Sequence, residues 1–230
     1  EIIKYKYDSN EIAKRKLSQI IYPKDHHSYM NDFNEDIESV KSIKVENLKK
    51  THETLIKNNK TIISLASNIP TKELNKAIET LENGLKITKT KIESKVNIPT
   101  VAMRETPKFE SIYLNDKHQS DIFLAHTSEL NRTHPDYYKM HVANFILGGG
   151  ILDNRLSDKV RDQNGLVYSI YSYISGAISP GEYGIYFGAN NKNTDKAISL
   201  TMEELNKFVK DGITEKELSE AKKTLINSFT

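Results

Sequence analysis

The sequence contains no cysteine and no tryptophan. The first absence excludes disulfides, cysteine-ligated zinc and thiol nucleophiles, while leaving the cellular compartment open. A charge excess of either sign is also missing. The 33 lysines and arginines face 31 aspartates and glutamates, a formal net charge of +2, so there is no electrostatic footprint for nucleic acid. No apolar run approaches the length of a membrane span, and no charged-then-apolar signal sequence opens the chain as given. Glu1-Ile2-Ile3 begins without methionine, as if cut from something longer. Glycine and proline are scarce, at 10 and 6 in 230 residues, so a run of three glycines marks a special place. The length suffices to bury a real core as one large domain or two smaller ones.

Several helices and strands can be read in order. Asp8 or Ser9 caps a helix bearing Ile12, Leu17 and Ile21, which Pro23 ends. Asn34 opens a short helix with Ile37 and Val40, and Val45, Leu48, His52, Leu55 and Ile56 form the apolar face of another. Thr61 to Ala66 is of strand length, and Pro70 or Thr71 starts a helix that stops at Asn83-Gly84. Lys86 to Pro99 reads as a lysine-rich connector and predicts a domain boundary. Candidate strands follow at Phe109 to Leu114 and Asp121 to Thr127, then a helix from His134-Pro135 to the glycines. Glu182 to Ala189 is a further strand, with a free edge that would suit an extended peptide. Thr194 caps a long helix, and Thr214 with Glu217 forms a capping box for the last one. Strands followed by runs of helices argue an α+β fold, with helices on one face of a mainly antiparallel sheet.

The most informative stretch is Leu147 to Tyr173. Gly148-Gly149-Gly150 should stop the preceding helix. Leu152, Leu156 and Val160 recur at helical spacing, Asn164-Gly165 breaks the period, and Leu166 to Tyr171 becomes a β-branched and aromatic run. Arg161 and Tyr168 flank that corner, so a cation and a phenol can converge at a strand end. Taken alone, such an arginine is usually solvated and such a tyrosine is usually packing.

This stretch closely resembles the second-domain signature of the pitrilysin/insulinase family of zinc metallopeptidases, the group that includes mitochondrial processing peptidase. The family pattern is a glycine turn, S-R-L, a short helix, arginine, then G-L before a tyrosine. Here it stands as Gly149-Gly150, Asn154-Arg155-Leu156, Arg161, Gly165-Leu166 and Tyr168, with asparagine for the usual serine. The resemblance implies two pitrilysin-type α+β domains, each a six-stranded sheet. Residues 1–85 would be the later part of a first domain, 86–99 a linker, and 100–230 most of a second domain that does not bind zinc. It further implies Arg161 and Tyr168 as catalytic residues donating to the substrate carbonyl as negative charge develops. Gly149, Gly150 and Arg155 would contact the peptide.

The family holds zinc through H-x-x-E-H plus a later glutamate. None of the seven histidines here completes that motif or H-E-x-x-H; His52-Glu53 comes nearest, and Ile56 occupies the last position. Glu1-Ile2 fits the distal glutamate ligand, but one carboxylate does not hold zinc. Zinc is therefore expected in a full-length enzyme and not in this chain alone. Such an enzyme implies a peptide substrate and an H-x-x-E-H half, upstream on the same polypeptide or in a partner subunit. The alternative is a non-catalytic homologue serving as scaffold or partner subunit. Other features read as structure. The glycines lack the Gly-Lys-Ser/Thr of a phosphate loop, His134 and His141 share a helix face, and His26-His27 has no carboxylate cage.

Overall fold

The computed structural model describes residues 2–58, 64–85, 98, 100–150 and 154–228. The fold is α+β, and packing divides the chain into two compact units. Residues Glu1–Phe33 join Ile98–Thr230 in one, and Asn34–Asn97 form the other. The connector expected at Lys86 to Pro99 falls mostly outside the described residues, which leave out 86–97 and 99.

In the larger unit, α1 (Ile2–Tyr5) is followed by α2 (Ser9–Ile21), whose first turn is capped by Asp8 accepting from the Glu11 amide. Three strands form one antiparallel sheet in the order β1-β3-β2: β1 (Gln119–Thr127), β2 (Val167–Ile174) and β3 (Glu182–Asn190). β3 is thus the central strand, with its backbone groups on both sides in ladders. It offers no free edge to a peptide, contrary to the expectation for Glu182 to Ala189.

Side chains alternate across the sheet as the pleat requires. One face carries Ile122, Leu124, Ile170, Ile185 and Phe187, which meet Leu147, Leu156, Val160 and Ala197 in the core. The small unit is described by itself. It contains most of α3 (Phe33–Ser42), then α4 (Val45–Asn58) and α5 (Thr71–Leu85).

The opposite sheet face meets α2. Ser9 donates to Asp121 at 2.5 Å, and Tyr186 donates to the same carboxylate at 2.6 Å. The helices of the second portion are α6 (Tyr137–Asn144), α7 (Thr194–Asp211) and α8 (Glu215–Asn227). The expected Thr214/Glu217 capping box is present in full.

One expected strand does not form, and a second is described only in part. Phe109 to Leu114 is irregular, with Phe109 83% and Tyr113 87% exposed. The run has the apolar and aromatic content of a strand, but among the described residues no neighbouring strand completes a ladder. In the other run, residues 64–66 are irregular and 61–63 lie outside the described residues.

Candidate functional site

The helix before the glycines does not simply break. α6 widens into a π-helical turn, π1 (Phe145–Gly149), closed by the Gly150 amide donating to the Phe145 carbonyl at 3.0 Å. The chain then leaves in an extended conformation at Gly150. Gly148 is needed for close approach rather than for a break. A Cβ there would lie 2.7 Å from the Ser172 amide nitrogen and hydroxyl, and 2.8 Å from a Leu156 methyl. Gly150 is buried and Gly149 exposed.

Asn154, in the position of the family serine, is buried and works in two directions. Its amide donates to the Gly150 carbonyl at 2.7 Å, and its oxygen accepts from the Ser157 amide at 2.9 Å. One side chain therefore ties the glycine turn to the start of the next helix. Residues 151–153 lie outside the described residues. That next helix becomes a second π-helical turn, π2 (Ser157–Asp162), with Leu156 and Val160 fully buried on its inner side. Single π turns of this kind recur at functional sites.

Arg161 lies in π2, and two amides carry the chain from there into β2. Gly165 donates to the Arg161 carbonyl at 2.8 Å, and Leu166 to the Val160 carbonyl at 3.1 Å. Gly165 has φ 61, a left-handed conformation that glycine adopts without the Cβ penalty.

Strand β2 then opens on an irregularity. Val167 pairs with Ala189 and Ser169 with Gly188, so Tyr168 is the extra residue of a β-bulge. The bulge lets Val167 and Ile170 both reach the core, at 6% and 4% exposure, and turns Tyr168 outward at 91%.

The guanidinium of Arg161 is one-third exposed and rests on Asp162, with Nε to Oδ1 at 2.8 Å and Nη2 to Oδ2 at 3.2 Å. That hydrogen-bonded pairing holds the Asp162 carboxyl below its ordinary range and raises Arg161 further. The pair is a surface ion pair between sequence neighbours, of the kind that contributes little and exchanges readily with solvent or ligand.

Arg155 turns the other way. Its side chain is 17% exposed and grips Glu217 in a two-point fork, Nε to Oε1 at 2.6 Å and Nη2 to Oε2 at 2.9 Å. Nη2 also donates to the Gly212 carbonyl at 2.9 Å, Glu204 lies 3.9 Å away, and the Phe208 ring is 5.0 Å from the guanidinium. The residue expected to touch peptide is therefore engaged by the corner between α7 and α8.

Beside the bulge, aromatic rings run across the strands on the face away from the core. Phe123 and Tyr186 are 4.8 Å apart, Tyr186 and Tyr171 5.2 Å, and Tyr171 and Tyr173 6.3 Å. Burial, followed by the Asp121 hydrogen bond, pushes the Tyr186 phenol up to about 12. Burial also raises Tyr171 and Tyr173, the latter helped by Glu182, to which it donates at 2.9 Å. These phenols stay protonated as donors and are not poised as bases.

Among the described residues, no group of three or more histidines, aspartates and glutamates is placed to hold a metal ion. Several histidines serve packing and local hydrogen bonds. His26 is buried against Tyr22 and accepts from the Ser28 amide, His134 accepts from the Asp136 amide, and His141 lies edge-on to Tyr137. Glu1, the candidate distal ligand, lies outside the described residues. The described residues do not fit a zinc site. Also among the described residues, no helix is long and apolar enough to cross a membrane.

Sequence reasoning missed the Arg155–Glu217 clamp, the Asp162 partner of Arg161, and the bulge. Local signals were available for Asp162, which follows Arg161 directly, and for Asn154, since asparagine is a favoured helix cap.

Comparison with known proteins finds relatives of the chain and of its fold. The chain is 26% identical over 198 residues to the "Non-peptidase homolog YmxG" of Helicobacter pylori, covering 83% of this chain and 43% of that protein. It is 33% identical over 129 residues to the "Uncharacterized zinc protease YmxG" of Bacillus subtilis, covering 54% of this chain and 31% of that one. The crystal structure of a peptidase M16 inactive domain from Pseudomonas fluorescens superposes with a TM-score of 0.80 at 25% identity, over 99% of this chain and 53% of that one. The chain spans about half the length of such relatives, or less. A family profile described as "Peptidase M16 inactive domain" matches residues 42–225, and the chain belongs to that family.

Proposed function

We propose that the chain is the substrate-binding, non-zinc-binding portion of a zinc metalloendopeptidase, with Arg161 and Tyr168 as its catalytic contacts. One observation carries this reading. The two signature residues follow one another through a π turn, a left-handed glycine and a β-bulge, and the bulge leaves the Tyr168 phenol 91% exposed. A packing tyrosine has no use for such a bulge, whereas an oxyanion donor must reach beyond its own sheet.

In this reading the Tyr168 hydroxyl donates to the scissile carbonyl as charge develops. Arg161 exchanges Asp162 for the peptide and orients it with its planar fork. The turn at Gly149 and Gly150 contacts the peptide from the other side of the site. Arg155 acts through its bonds to Glu217 and the Gly212 carbonyl. Residues 1–85 descend from a first domain of the same type, and 100–230 from the second. Zinc and the activated water belong to an H-x-x-E-H half, on the same polypeptide or in a partner, and the described residues of this chain supply neither.

The experiment joins the chain to an H-x-x-E-H half and measures cleavage of an extended peptide. Activity that collapses in Tyr168→Phe supports the proposal, and undiminished activity in that variant refutes it.

A second reading has its own support. A relative matching 83% of this chain is named a non-peptidase homolog, which favours a scaffold or partner subunit. In that case the joined protein would assemble, and neither it nor any variant would cleave peptide.

A further inference from the structure

We propose that Arg155 is a positioning residue: by clamping the start of π2 to the corner between α7 and α8, it holds the backbone that runs from Arg161 into Tyr168. The proposal rests on the reading above that Arg161 and Tyr168 are the contact pair.

The inner face of π2 is fixed in depth by Leu156 and Val160, both fully buried. Apolar contacts are not directional, so they leave the turn free to slide or rotate over the sheet. A direction has to come from polar contacts. Lys159 reaches Glu203 at 3.6 Å, but Glu203 is 62% exposed and such a pair restrains little.

Arg155 is different in kind. Its fork meets both oxygens of Glu217, and its third bond goes to the Gly212 carbonyl. Three directional bonds from one planar group fix position and rotation together. The anchor is itself rigid, because the Glu217 carboxylate also accepts from the Thr214 amide and hydroxyl, both at 2.7 Å.

From the clamp the restraint passes along one turn of helix to Val160 and Arg161. Their carbonyls receive the Leu166 and Gly165 amides that start the path to the bulge. Losing the clamp should therefore loosen this junction while the β1–β3 ladder holds.

Amide hydrogen exchange of the isolated chain tests this without any substrate. The variants are Arg155→Lys and Glu217→Gln, with Arg155→Ala included if it folds. Far-UV circular dichroism confirms that each variant compared is folded. The expected result is a rise in exchange at Gln163, Gly165 and Leu166 that clearly exceeds the rise at Ile185 and Phe187, which follow only the global loss of stability. Arg155→Lys should not restore protection, since a point charge cannot reproduce the fork. A uniform rise across all amides would mean only lost global stability, and unchanged rates at Gly165 and Leu166 would mean that the clamp serves the α7–α8 corner alone. Either outcome overturns the proposal. The readout needs no turnover, so its failure leaves the reading of Arg161 and Tyr168 standing, and loss of that reading leaves the exchange result intact.

Discussion

Replacing Glu217 with glutamine removes one charge from the most densely bonded carboxylate described here. Wild-type Glu217 receives the Arg155 fork at 2.6 and 2.9 Å and both Thr214 donors at 2.7 Å. The Arg155 hydrogen bond is the largest of the causes that lower its carboxyl from 4.5 to about 2. At 1.36 kcal/mol per pH unit, a lowering of that size corresponds to roughly 3 kcal/mol. The side chain is still 27% exposed, and solvent screening reduces the expected loss to about 1.5 kcal/mol.

The pH dependence follows from the direction of the shift. The folded carboxyl titrates below the unfolded one, so its contribution is complete above about 4.5 and is lost as pH falls through about 2. Urea unfolding of wild type and Glu217→Gln should therefore show a constant gap from neutral pH down to about 5. The gap should narrow steadily as pH falls further, with the urea slope unchanged at every pH. A variant equal to wild type at neutral pH would refute the reasoning, as would a gap that stays constant on acidification.

Gly148→Ala forces a methyl to within 2.8 Å of Leu156 and still closer to Ser172, and the overpacking should cost about 1–3 kcal/mol in thermal or urea unfolding. Asp162→Asn removes the neighbour on which Arg161 rests. It should change stability by no more than about 0.5 kcal/mol, while fluorescence anisotropy shows tighter binding of an extended peptide. The isolated chain, dialysed against zinc and assayed by metal analysis, should retain less than one equivalent, because the described residues present no cluster of ligands.

Local signals made much of this fold legible. The Thr214/Glu217 box needs only residues three apart, and Asp8 announces the α2 cap through the same short-range chemistry. Leu156 and Val160 showed their common face by helical spacing. The signature arginine and tyrosine were legible as a pattern, because several residue types recur at fixed offsets.

Apart from Asp162, which stands next to Arg161, what escaped depends on partners far away in sequence. Arg155 meets a carboxylate 62 residues on, and nothing near Arg155 announces it. The bulge at Tyr168 exists only in the register of β2 against β3. Phe109 to Leu114 has the apolar and aromatic content of a strand, yet such content does not supply a neighbour to pair with. The glycines do end the helix, with the chain extended at Gly150, and what they did not announce is the close approach of Gly148 to Ser172.

The central claim is that Tyr168 stabilises charge in the transition state of peptide hydrolysis. Steady-state kinetics of the chain joined to its H-x-x-E-H half, with zinc analysis of each preparation, tests it most directly. Losing one oxyanion donor typically costs about 2.7–4 kcal/mol, so Tyr168→Phe should lower kcat by roughly a hundred- to thousandfold. KM and zinc content should stay close to wild type, because the hydroxyl acts chiefly once the carbonyl carries charge. A Tyr168→Phe enzyme with wild-type turnover would contradict the account and return the tyrosine to an ordinary surface residue.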